Sequence, residues 1–237
     1  MGYETYAYGR DYKERIKEGR YDLIVVSVPH YAFAEVIKYI DGNLYFDEII
    51  IEKPGARDYK EFQEILKRVP DAKMFLPLYI QYGYLEPKKI TYLLKLDEKE
   101  IATIDYKNEI IILKSGRKID SNFLRDLGFH PLSLYKNPEF ELVAVRYNGI
   151  YGDITLIDEK GRRAEFGRTY SILERKIDGK EVSFSNPMRE MLENNYEELR
   201  LKNLPSRIWK NLDEISNLAE SLLIRKEEKM YGIERNY

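Results

Sequence analysis

The sequence predicts two architectures in succession. Residues 1–78 read as an α/β unit, and residues 79–237 as an α+β domain. The second has a large, open, mainly antiparallel sheet covered by helices on one face. Three observations carry this. Leu23–Val28 and Ile49–Ile51 are continuous apolar runs, the pattern of parallel strands buried on both faces. A helical pattern follows each of them. From Ile90 onward, short strand-like runs alternate with turn signals, and two amphipathic helices close the chain.

Taken in order, Met1–Arg10 is Tyr-rich and without period, and Asp11–Glu18 reads as a helix with Asp11 as N-cap and Gly19 as its stop. Leu23–Val28 is bounded by Asp22 and Pro29. Tyr31–Ile40 places Phe33, Val36, Ile37 and Ile40 on one helix face. Ile49–Ile51 stops at Glu52-Lys53-Pro54, and Asp58–Leu66 repeats the helical pattern. Such a strand–helix–strand–helix unit closes with a right-handed crossover, so functional residues belong just past the strand ends, where His30 and Lys53 stand. Met74–Leu78 reads as a further strand and Tyr79–Pro87 as an aromatic-rich connection. Strands then follow at Ile90–Leu96, Ile101–Asp105, Glu109–Lys114, Phe140–Tyr147, Tyr151–Asp158, Arg163–Phe166 and Ser171–Ile177. Asn148-Gly149 and Asp178-Gly179 are hairpin signals. Pro187–Leu201 and Ile208–Glu227 are the closing helices, separated by Pro205-Ser206, with Ser206 as a cap for the second.

Composition narrows the function. Hydrophobic residues at 43% and charged residues at 34% describe an ordinary globular chain. A net charge of −2 with interspersed signs gives no nucleic-acid footprint. There is no membrane-length apolar run and no signal-peptide core, so a cytoplasmic protein is expected. Zero cysteines exclude disulfides and thiolate chemistry, and two histidines argue against a histidine-rich metal site. The absence of Cys beside abundant Lys, Glu and Tyr is a bias of hyperthermophile proteins.

Val25-Val26-Ser27-Val28-Pro29, followed one helix later by Glu52-Lys53-Pro54, resembles the second half of the nucleotide-binding domain of the Gfo/Idh/MocA oxidoreductases. These include glucose–fructose oxidoreductase and inositol dehydrogenase. Asp126-Leu127-Gly128-Phe129-His130 matches that family's Asp-x-Gly-x-His motif residue by residue. The resemblance implies a Rossmann-like unit, an NAD or NADP cofactor, and a sugar or cyclic polyol as substrate. It also implies a homodimer or higher homo-oligomer formed through the C-terminal sheet. Pro29, Glu52, Lys53 and Pro54 are then expected to border the cofactor, with His30 beside them by its place just past a strand end, and Lys53, Asp126 and His130 to be catalytic. In that scheme Asp126 orients the imidazole and His130 removes the hydroxyl proton as hydride leaves.

Each of these residues has a plainer alternative. Lys53 could be a solvated strand-end lysine, Asp126 a helix cap, His130 a half-buried ring satisfied by backbone, and His30 a loop histidine. Tyr79, Tyr82 and Tyr84 could line a sugar site, but core packing is the stronger reading among 21 tyrosines. One departure from the family governs everything else. The strand, Gly-x-Gly-x-x-Gly turn and helix that hold a dinucleotide pyrophosphate are not found in this sequence. The nucleotide-binding unit is therefore expected to be truncated, and a non-catalytic ligand-binding, regulatory or assembly protein is the alternative function.

Overall fold

The computed structural model describes residues 5–16, 19–148, 150–183, 187–194 and 196–231. A first, parallel sheet is built from β1 (Arg20–Val26), β2 (Tyr45–Glu52) and β3 (Lys73–Phe75), in that spatial order. Two crossover helices connect them: α2 (Phe33–Asn43), entered through a 3₁₀ turn at His30–Ala32, and α3 (Tyr59–Arg68). They pack on each other, burying Phe33, Ile37 and Ile40 from one and Phe62 and Ile65 from the other. Ile49, Ile50 and Ile51 are all buried, which accounts for the absence of alternation in that run. Asp58 caps α3, its carboxylate accepting from the Glu61 N–H at 2.8 Å. Ahead of β1, α1 (Tyr12–Arg15) is shorter than Asp11–Glu18. Asp11 makes no cap bond and pairs instead with Arg15, and Ile16 is already extended. Lys17 and Glu18 lie outside the described residues.

Where an apolar strand Met74–Leu78 was expected, β3 ends at Phe75 and α4 (Pro77–Tyr82) begins. Pro77 occupies the first turn, where its missing N–H costs nothing and its fixed φ favours a helix. The second sheet has six strands in the order β12-β11-β4-β10-β9-β8. These are β4 (Lys89–Lys95), β8 (Glu141–Asn148), β9 (Tyr151–Ile157), β10 (Arg163–Thr169), β11 (Glu174–Ile177) and β12 (Lys180–Glu181). Only β4 and β10 run parallel, so the sheet is mixed and mainly antiparallel. Asp178 and Gly179 both take positive φ, forming the expected hairpin turn. Gly149 of the other expected hairpin lies outside the described residues.

One face of this sheet is covered by α5 (Phe123–Leu127), α6 (Phe129–Leu132) and α8 (Leu204–Tyr231). The α8 helix starts before Pro205, so Ser206 lies inside it and does not cap it. The continuous helix expected at Pro187–Leu201 is divided into α7 (Pro187–Glu193) and a 3₁₀ turn at Glu197–Leu199. The Asn194 side-chain amide donates to the Glu190 carbonyl at 2.9 Å, engaging a carbonyl at the end of α7. A third, small antiparallel sheet of β5 (Ile101–Asp105), β6 (Ile110–Leu113) and β7 (Lys118–Asp120) stands beside the parallel one. A single cluster of buried apolar side chains runs from Val26 through Tyr92 and Phe166 to Ile215, joining the first two sheets. No helix among the described residues is long and apolar enough to cross a membrane.

Candidate functional site

A cleft of about 400 Å³ opens at the C-terminal ends of β1 and β2. Its walls are the segment from Ser27 to His30 after β1, the turn from Glu52 to Pro54 after β2, Ile110, the segment from Arg117 to Asp120, and Asp126. The Lys53–Pro54 peptide is cis. The indole Nε1 of Trp209 donates to the Pro54 carbonyl at 2.9 Å, fixing this turn against α8.

Lys53 reaches across the cleft to α5. Its ammonium donates to Asp126 Oδ1 at 2.9 Å and to the Asp126 carbonyl at 2.5 Å. The other carboxylate oxygen of Asp126 accepts from Arg168 Nη2 at 3.0 Å. Arg168 is buried, on the inward face of β10 with Ala164 and Phe166, and its guanidinium also donates to the carbonyls of Asp120, Ser121 and Ile150. Burial works to raise the Asp126 carboxyl, but the charges of Lys53 and Arg168 outweigh it and hold the group below the usual carboxylate range. Asp126 is therefore an ionised bridge between two cations and not a helix cap. Asn122 caps α5, accepting from the N–H groups of Leu124 and Arg125.

His130 follows on α6, four residues from Asp126. The two are not hydrogen-bonded: the Asp126 oxygens go to Lys53 and Arg168, and His130 Nδ1 is buried without a partner among the described residues. The expectation that Asp126 orients the imidazole is corrected here. The ring is held instead by stacking on Tyr92, with centroids 4.9 Å apart at 27°. Burial, and then the Lys53 charge, push the imidazole down to about 3, so it is neutral at ordinary pH. His130 stands behind Asp126 and is not part of the cleft wall. Gly128 separates them because α8 passes close: a Cβ there would stand 2.6 Å from both the Leu124 carbonyl oxygen and a Leu212 methyl.

His30 is not a solvated loop residue. It is buried, with Nδ1 3.3 Å from Asp120 Oδ2 and Nε2 3.4 Å from Arg125 Nη2. Burial pushes it below the ordinary imidazole range, against the pull of Asp120. Arg125 holds Asp120 through two bonds of 2.5 and 2.7 Å, reaches Glu109 at 2.9 Å, and donates to the Arg57 carbonyl. This network ties the segment after β1 to β7 and α5. Burial also raises the Glu52 carboxyl, with Lys53 opposing. Tyr79, Tyr82 and Tyr84 pack away from the cleft. Tyr79 lies against Tyr84 and Tyr196, while the Tyr84 hydroxyl donates to Glu198 at 2.8 Å.

The fold so assembled is similar to that of several solved structures, nicotinamide-linked proteins among them. A NAD-binding protein from Listeria innocua superposes with a TM-score of 0.53 at 12% identity, over 84% of this chain and 77% of its own. A 3-ketoreductase from Actinomadura kijaniata, in complex with TDP-benzene and NADP, superposes with a TM-score of 0.52 at 10% identity, over 83% and 77%. An oxidoreductase from Thermotoga maritima gives 0.52 at 12% identity, over 81% and 74%. At these identities the likeness is one of fold, and it is the fold that the resemblance to the Gfo/Idh/MocA oxidoreductases implies. No family model and no curated protein sequence matches the chain.

Proposed function

We propose that this chain is an NAD(P)-dependent oxidoreductase acting on a hydroxyl of a sugar or cyclic polyol, with residues 1–78 as its nucleotide-binding-like unit and 79–237 as its substrate unit. The observation that carries this reading is the Lys53–Asp126 contact at the C-terminal ends of two parallel strands, the position where open α/β sheets bind ligands. The residues present fit the nicotinamide end of a cofactor. Pro29, His30, Glu52, Lys53 and Pro54 border a cleft of suitable size there. They do not supply a glycine-turn cradle for its pyrophosphate.

When bound, a nicotinamide supplies a hydride acceptor or donor. The chain's own residues supply the rest. Two of the three Lys53 N–H donors are engaged by Asp126, which aims the third at a substrate hydroxyl. Arg168 and Asp126 hold that ammonium in place. His130, neutral and outside the cleft wall, packs behind the Lys53–Asp126 pair and does not itself meet the substrate hydroxyl, whose proton leaves through the open cleft. The test is a dehydrogenase assay across sugars and polyols with both cofactors, comparing wild type with Lys53→Met. Turnover that falls by about 10²-fold or more in the variant supports the assignment. No turnover in wild type with any pairing would sink it. A cleft whose lining residues include no glycine-turn cradle favours a second reading, a ligand-binding or assembly protein. Ligand binding at the cleft without hydride transfer would support that one.

A further inference from the structure

The cleft has more positive charge on its rim than its carboxylates use. Asp126 is neutralised by Lys53 and Arg168, and Asp120 and Glu109 by Arg125. Glu52 is partly buried beside Lys53. That leaves Arg117, at the end of the turn from β6, and Lys118, the first residue of β7, both exposed and both bordering the cleft. Among the described residues neither has an ion-pair partner. The segment that carries them is well fixed: the Leu113 N–H donates to the Arg117 carbonyl at 2.9 Å, and Lys118 is in register with Ile112. Two cations without ion-pair partners and Ser27 thus border one cavity, whose lining carries no unpaired carboxylate except Glu52.

We propose that Arg117 and Lys118 form a subsite for a pyrophosphate group at the rim of the cleft, a role that side-chain cations fill here in place of the backbone amides of a glycine turn. The proposal rests on the cleft being the ligand site of the oxidoreductase reading. The Arg117 guanidinium is a planar fork matched to phosphate oxygens, and Lys118 acts as a point charge beside it. A pyrophosphate diester reaches such a site from a dinucleotide cofactor or from a nucleoside-diphosphate sugar, and the chemistry recognised is the same.

The experiment is calorimetric titration of the full chain with inorganic pyrophosphate, NADP, NAD and a nucleoside-diphosphate sugar. Wild type is compared with the Arg117→Gln/Lys118→Gln double variant and with Lys160→Gln, an exposed control outside the cleft. The expected result is pyrophosphate binding that weakens with added salt and drops about tenfold or more in the double variant, while the control matches wild type. Circular dichroism checks folding, and Arg117→Lys alone, which keeps the charge and loses the fork, is expected to give an intermediate loss. A parallel drop for NADP and NAD identifies the cofactor as the source, and a drop confined to the nucleotide sugar identifies the substrate; either supports the subsite. Wild type that fails to bind pyrophosphate, or a double variant that binds it as wild type does, overturns it. Charge-dependent binding without hydride transfer would refute the oxidoreductase reading and leave the subsite standing. Hydride transfer with unaltered pyrophosphate affinity in the double variant would do the reverse.

Discussion

Acid should unfold this protein partly through His130. The imidazole is displaced from an ordinary 6.5 to about 3, because it is buried against Tyr92 with Lys53 close by. Between those two values the unfolded chain binds a proton at this position that the folded chain does not. Stability from this group is therefore complete above the unfolded value and is lost as pH falls towards the folded one. Applied to that displacement, the linkage relation gives a loss of roughly 2–3 kcal/mol between neutral pH and about pH 4.5. Asp126 and His30, also held below their ordinary ranges, lose stability in the same direction. A difference measurement separates them. His130→Phe keeps a ring against Tyr92 and removes the titration, so urea unfolding across this pH range is expected to show a slope shallower than wild type by about that amount. With two histidines in the chain, the ring protons can also be followed individually by NMR. A His130 resonance titrating near 6.5, or equal pH slopes in wild type and variant, would refute the reasoning.

Three further outcomes follow from the same geometry. Arg168→Met removes one of the two cationic partners of Asp126 and three carbonyl contacts in a buried position, and should destabilise the protein by ~3–5 kcal/mol in chemical denaturation. Gly128→Ala puts a methyl group against the Leu124 carbonyl and Leu212, so a loss of about 1–3 kcal/mol is expected, with reduced turnover because Asp126 and His130 flank the shift. Asp120→Asn weakens the hold on both His30 and Arg125, and faster amide exchange at the segment after β1 is the expected signature.

Local pattern sufficed for the parallel unit, since its strands are apolar throughout and its helices keep a 3.6-residue period. It also brought Lys53 and Asp126 to attention, through two short motifs whose contact spans 73 positions of chain. Arg168 had no such motif. Its signal was a charged residue in register with inward-facing Ala164 and Phe166, a violation of alternation that only a buried partner explains. Asp120 and Arg125 were invisible because they meet across a strand end and a helix start, not along one helix face. The α4 helix was missed because Met74–Leu78 is too short an apolar run to distinguish strand from helix, and only the Pro at position 77 hinted otherwise. His30 was misjudged for a related reason: a sequence shows where a strand ends, but not that a distant guanidinium and carboxylate will enclose the next side chain.

The position of Trp209 has a spectroscopic consequence. It is the chain's single tryptophan, buried face-on to Phe62 and edge-on to Phe129, with its N–H on the carbonyl of the turn that carries Lys53. One chromophore thus monitors the floor of the cleft, the helix bearing His130, and the docking of α8. Its emission needs no label. A ligand that moves the Glu52–Pro54 turn should shift that emission in an otherwise unmodified protein, at concentrations far below those that calorimetry needs.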